Sequence, residues 1–194
     1  MIKKVEPKKI ETKLEIIDSS NEKFVGLFVG QNVLAEENNV SRELYDKSRF
    51  GEVNEKGRFQ YALIEALYLI ERERLDVYEK DKKMKVNEFI KKARKFEPNF
   101  WTRYCVYRDL RKRGYIVKTA LKFGADFRVY DRGVKPGDEH AKWIVYPVHE
   151  SETMTWYEFA AKNRVAHSTK KRLLLGIADE ESDVTYYEVN WVRP

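Results

Sequence analysis

A phenol, an imidazole and an ammonium lie at the edges of short apolar runs in the second half of this chain. Tyr130 ends the alternating run Asp126-Phe127-Arg128-Val129-Tyr130, His140 closes the loop that begins at Asp131, and Lys171 precedes Leu173-Leu174-Leu175. Side chains of these types can supply a proton acceptor, a proton donor and a fixed positive charge. That set suffices to cleave RNA by its own 2′-hydroxyl, with no metal. Each residue also has an ordinary structural role. A strand tyrosine packs amphipathically, a loop histidine is solvated, and Lys171 sits in a run of cations with Lys170 and Arg172. His149 and His167 compete with His140. His149 falls at the far end of the strand that follows the His140 loop, and His167 near a helix end, where a cap or core role is expected.

Other cleavage chemistries find less to work with. A divalent-metal site needs clustered carboxylates. Asp126, Asp131, Asp138 and Glu139 are the candidates, but three of them fall in or beside one loop that solvent alone explains. The chain has no His-Glu-x-x-His helix, no glycine-rich Lys-Ser/Thr phosphate loop and no glycine-flanked nucleophile serine.

The elements that must position these groups follow from periodicity. In the second half, a helix is expected from about Pro98 to Arg113, stopped by Gly114. Strands are expected over Tyr115 to Lys118, Asp126 to Asp131 and Ala141 to Val148. Alternation puts Phe127 and Val129 on one face and Arg128 and Tyr130 on the other, so Tyr130 is expected at an accessible strand end. Thr155 to Ser168 has a helical stripe of Trp156, Phe159, Ala160 and Val165. Leu173 to Ala178 and Val184 to Val192 form a closing hairpin around Asp179-Glu180-Glu181-Ser182-Asp183.

In the first half, residues 1 to about 12 are expected to be a loose tail. Short strands follow at Leu14 to Ile17, Phe24 to Val29 and Val33 to Ala35, and Asn38 to Gly57 is polar and irregular. Helices fit Phe59 to Glu71 and Val86 to Phe96, joined by a turn-rich stretch from Glu79 to Lys85. Pro98 marks the boundary between domains 1–98 and 99–194. The fold class is thus α+β / α/β: a small N-terminal α+β domain, then an α/β domain whose mixed sheet is flanked by helices.

Bulk composition sets the surroundings. The 194 residues carry 38 cations against 32 anions, a formal charge of +6 that is modest as evidence for a polyanionic partner. Its distribution says more: Arg103, Arg108, Arg111, Lys112, Arg113, Lys118 and Lys122 are opposed only by Asp109. Aromatic residues reach 13%, which suits stacking on unpaired bases. The lone Cys105 excludes an internal disulfide and a multi-cysteine zinc site, and implies a reducing, cytoplasmic setting with the thiol buried. No apolar run approaches the ~20 residues of a membrane span, and the start is not a secretion signal.

The ordered motifs resemble a known family. Residues 106–119, residues 122–130, the His140 loop and residues 164–171 are similar to the catalytic subunit of archaeal tRNA-splicing endonucleases, as is the apolar run 63–69 in the first half. The resemblance implies a tRNA-intron lyase, an endoribonuclease that needs no cofactor and cuts precursor tRNA at both intron ends, in a bulge-helix-bulge. It implies that Tyr130 takes the 2′-hydroxyl proton, His140 protonates the departing 5′-oxygen and Lys171 balances charge on phosphorus. The products would be a 2′,3′-cyclic phosphate and a 5′-hydroxyl. Arg164 matches an arginine that stacks on a bulge base. The resemblance also implies self-association, most simply a homotetramer, with a heterotetramer containing a structural paralogue as the alternative. The strand Tyr186 to Val192 would pair across a two-fold axis, and the acidic loop Asp179 to Asp183 would enter a basic groove on a neighbour. The rival function is a non-catalytic structural or RNA-binding subunit of the same complex; retention of Tyr130, His140 and Lys171 argues for the catalyst.

Overall fold

The computed structural model describes residues 2–4 (as backbone), 22–120, 124–137 and 139–192. The chain divides into two compact units, one formed by Met1–Glu15 with Thr102–Pro194 and the other by Ile16–Trp101. The first element, β1 (Ile2–Lys4), belongs with the C-terminal residues.

In the unit Ile16–Trp101, strands β2 (Phe24–Val29), β3 (Asn32–Ala35), β4 (Glu52–Val53), β5 (Phe59–Ala62), β6 (Leu75–Glu79) and β7 (Lys82–Lys83) form one sheet in the order β4-β5-β3-β2-β6-β7. Its helices are α1 (Asn39–Ser48), α2 (Leu63–Glu71) and α3 (Val86–Phe96). Three expectations are corrected here. The stretch Asn38 to Gly57 is not irregular: Asn38 caps α1 by accepting from Ser41 N–H at 2.9 Å, and Val40 and Leu44 bury its inner face. The helix expected from Phe59 starts only at Leu63, because Phe59 and Tyr61 alternate into the core as β5 and are fully buried. Glu65 then reaches back to the Ala62 N–H at 3.1 Å, which starts α2. The third is β6, which pairs parallel with β2 where no strand was expected. The strand expected at Leu14 to Ile17 lies outside the described residues.

The C-terminal unit contains α4 (Phe100–Lys112) from Thr102 on, then β8 (Ile116–Thr119), β9 (Phe127–Tyr130), β10 (Trp143–His149), α5 (Trp156–Ser168), β11 (Arg172–Ala178) and β12 (Val184–Val189). The sheet order is β1-β12-β11-β10-β9-β8, and β10 and β11 are its one parallel pair. A parallel neighbour requires a crossover, which α5 supplies. Its Thr155 cap accepts from Glu158 N–H at 3.2 Å while Glu158 accepts from Thr155 N–H at 2.8 Å.

Helices cover both faces of this sheet. On one, Tyr107 of α4 packs on Phe127 at 5.9 Å, and the Tyr186 hydroxyl donates to Asp109 at 2.8 Å. Gly176 lies under α4 so closely that a Cβ there would stand 2.9 Å from Val106 Cγ1. On the other face, Ala166 and Phe159 of α5 close over Ile144, Tyr146, Leu173, Leu175 and Val189. Trp156, expected on the buried stripe of α5, is instead 82% exposed and meets Phe159 edge-on at 5.9 Å.

The loose tail is corrected at its start: Ile2, Lys3 and Lys4 pair antiparallel with Val189, Glu188 and Tyr187. Without β1, β12 would present an open row of backbone donors and acceptors at the sheet edge. The C-terminal strand is shorter than expected, ending at Val189.

Candidate active site

The four strands β8 to β11 converge on one end of the C-terminal sheet. Tyr130 is the last residue of β9, opposite Ile116. β10 starts at Trp143, opposite Val129 and beside Arg172 of β11. His140, three residues before β10, and Lys171, one before β11, therefore join the chain at the same sheet end as Tyr130. With strands ~4.8 Å apart, two steps across the sheet are roughly 10 Å, a span that side chains bridge. Backbone bonds fix the approach: Lys142 N–H donates to Val129 O at 2.9 Å, Arg172 N–H to Lys142 O at 3.0 Å, and Lys171 N–H to Ala166 O at 2.9 Å. The turn out of α5 places Lys170 at φ 54°, and the Lys171 ammonium donates to Thr169 O at 2.8 Å.

The three groups differ in exposure. His140 is exposed and Lys171 half-buried. Tyr130, expected to be accessible, is only 5% exposed, and this corrects the sequence expectation. Its ring packs with Ile116 and Ala141, and Val134 from the loop between β9 and β10 closes against them. That loop turns at Gly133 (φ 79°) and Gly137 (φ 105°), backbone conformations that favour glycine.

A set of contacts that residue types alone do not reveal braces the loop. The Lys142 ammonium donates to Asp131 at 2.6 Å and holds that carboxyl below its usual range. The Arg132 guanidinium lies 5.0 Å above the Tyr115 ring, and Tyr115 meets Trp143 edge-on at 5.7 Å. Trp143 Nε1–H donates to Glu188 at 2.8 Å, and Arg172 donates to the same carboxylate at 3.0 Å. Burial pushes Glu188 up, but those donors win and its carboxyl is held low. The sequence signal was the clustering of Lys142, Trp143 and Arg172 beside the three chain ends.

Of the competing histidines, His149 lies at the far end of its strand, whereas His167 sits in the last turn of α5, close in sequence to Lys171. His149 ends β10, roughly 20 Å along the strand from Trp143, with its Nδ1 2.8 Å from Ser151 Oγ. His167 is exposed rather than in the core, against Trp191 at 4.7 Å. The carboxylates are dispersed: Asp126 pairs with Arg103 at 2.7 Å before β9, Asp131 lies beyond its other end, Glu139 is exposed, and Asp138 is outside the described residues. Arg164 is exposed on α5. The acidic turn is closed by Asp183 N–H donating to the Asp179 carboxylate at 2.8 Å, with Glu180, Glu181 and Asp183 exposed. Cys105 is buried, as expected.

Comparison with known proteins places the chain in a family. Residues 100–186 match the family model for the tRNA intron endonuclease catalytic C-terminal domain, and residues 25–90 match that for the tRNA intron endonuclease N-terminal domain. The chain belongs to the tRNA intron endonuclease family. Similar curated proteins are the tRNA-splicing endonuclease of Nanoarchaeum equitans, 52% identical over 68% of this chain and 88% of the relative, and that of Thermococcus gammatolerans, 42% identical over 84% and 95%. The tRNA-splicing endonuclease of Methanothermobacter thermautotrophicus is 44% identical over 80% of this chain and 89% of its own length. The activity of this family member is that of a tRNA-intron lyase, an endoribonuclease acting on precursor tRNA. The α+β fold and the archaeal resemblance read from the sequence hold. No helix among the described residues is long and apolar enough to cross a membrane.

Proposed function

We propose that this endonuclease cuts each intron junction of a bulge-helix-bulge by transesterification within the RNA, using Tyr130, His140 and Lys171. The meeting of three strand ends at one end of the sheet carries the reading. Tyr130 accepts the proton of the 2′-hydroxyl as its oxygen bonds to phosphorus. The phosphorus–5′-oxygen bond breaks, and His140 gives its proton to the departing oxygen. Lys171 offsets the charge that builds on the non-bridging oxygens. The products are a 2′,3′-cyclic phosphate and a 5′-hydroxyl, and no electron changes hands. Val134 packs against the cluster that holds Tyr130.

The reading extends to the assembly. The N-terminal α+β domain extends to residue 98 but leaves the first residues to the catalytic domain, 99–194, whose sheet β1 joins, and four copies associate. The exposed Arg164 meets a bulge base from a partner copy, and the exposed acidic turn docks in a neighbour's basic groove. Pairing of the Tyr186 to Val192 strand across a two-fold axis requires β1 to leave the β12 edge. The reaction takes place in the cytoplasm, in keeping with the single buried thiol. The test is cleavage of an intron-containing precursor tRNA by wild type, H140A and K171A. Loss of cutting in both variants with RNA binding retained is expected; full activity in either defeats the assignment.

A further inference from the structure

One row inward from Tyr130, the same face of the sheet holds two cations. Arg128 lies two residues before Tyr130 on β9, and Lys118 of β8 sits directly opposite it. Lys118 is 94% buried, its relative exposure being 6%. Arg128 is half-buried, and its Nε is sealed from solvent without a hydrogen-bond acceptor. Among the described residues no carboxylate forms an ion pair with it, and the nearest along its strand, Asp126, is held by Arg103 at 2.7 Å. Its guanidinium lies over the Tyr130 ring, with Cζ 6.0 Å from the centroid. A sealed donor with no partner is costly, and the side chain as a whole is only half-buried.

We propose that Arg128 is a phosphate-binding residue: it holds a backbone phosphodiester of the RNA next to the one that is cut, with Lys118 adding positive charge across the strand pair. The planar fork of a guanidinium suits bidentate capture of phosphate oxygens. Its place one row inward from the phenol lets it fix the strand while Tyr130 meets the 2′-hydroxyl. This rests on the reading of Tyr130 as the base at the cut. The alternative is that Arg128 only braces the Tyr130 ring.

Binding to a bulge-helix-bulge RNA with hydrogen in place of the 2′-hydroxyl at both junctions separates the two. Wild type, Arg128→Met and Arg128→Lys are titrated at several salt concentrations, with melting temperatures measured in parallel. The expected result is about a tenfold or greater loss of affinity in Arg128→Met, a salt slope smaller by about one, and recovery of most of both in Arg128→Lys. Affinity within twofold of wild type and an unchanged slope in Arg128→Met overturn the proposal. If Arg128→Met does not fold, Arg128→Gln is measured by the same criteria. Cleavage of the 2′-deoxy RNA would instead defeat the transesterification reading and leave the Arg128 measurement standing.

Discussion

Replacing Tyr130 by phenylalanine and by alanine separates its chemistry from its packing. The residue is 5% exposed against Ile116, Ala141 and Val134, and among the described residues no hydrogen bond to its hydroxyl is formed. Phenylalanine keeps the ring and gives up no bond within the fold, so its cost in stability is below about 1.5 kcal/mol. Alanine leaves a ring-sized cavity and costs about 3–5 kcal/mol. At roughly 2–4 °C per kcal/mol for a protein of this size, the alanine variant melts some 6–20 °C lower, while the phenylalanine variant stays within a few degrees of wild type. In cleavage the order changes. Loss of a general base slows the chemical step by about 10²–10⁴-fold, roughly 2.7–5.5 kcal/mol of barrier, and both variants lose it. The assays are thermal melting and single-turnover cleavage of precursor tRNA at saturating enzyme. A Phe variant that cuts at the wild-type rate refutes the role of the phenol. One that melts as low as the Ala variant refutes the packing argument.

Other consequences follow from particular contacts. Gly176→Ala would place a Cβ 2.9 Å from Val106 Cγ1 and 3.3 Å from Tyr186 Cε1, so α4 or the sheet must shift at a cost of about 1–3 kcal/mol, seen as a lower melting temperature. Lys142 depresses the Asp131 carboxyl. That pair contributes stability above the unfolded value of about 3.9 and loses it as pH falls through the lower folded value. Both partners are substantially exposed, so the effect is under about 1 kcal/mol. Asp131→Asn should therefore remove a small acid-side slope from melting temperature against pH, and an identical slope counts against the pair. Deleting residues 1–4 uncovers the β12 edge, and light scattering should report a larger or more concentration-dependent mass than for the full chain.

The catalytic half of the fold was legible because its strands alternate cleanly and its stops are strong. Phe127-x-Val129, Leu173 beside Leu175 and the glycine after Arg113 each carry their own signal. Helix α1 was hidden because Val40 and Leu44 are its only large buried apolar residues, and the cap pair Asn38 and Ser41 passed for polar loop. Strand β5 merged into α2 because no turn residue separates Ala62 from Leu63. The candidate site was legible as residue types at strand ends. The burial of Tyr130 was not, since its neighbours Ile116, Ala141 and Val134 come from other segments of the chain. Nor was β1: an edge strand paired with residues more than 180 positions away has no local signature.

The account stands most directly on how the phosphodiester is opened. Intron-containing precursor tRNA, with and without 2′-deoxy substitution at the junctions, is incubated with the protein in excess chelator, and the ends of the products are identified. Undiminished cutting of the all-ribose RNA to 2′,3′-cyclic phosphate and 5′-hydroxyl ends, with the 2′-deoxy junctions intact, is the predicted result. Cleavage of the deoxy junctions, or a requirement for divalent metal, would contradict it.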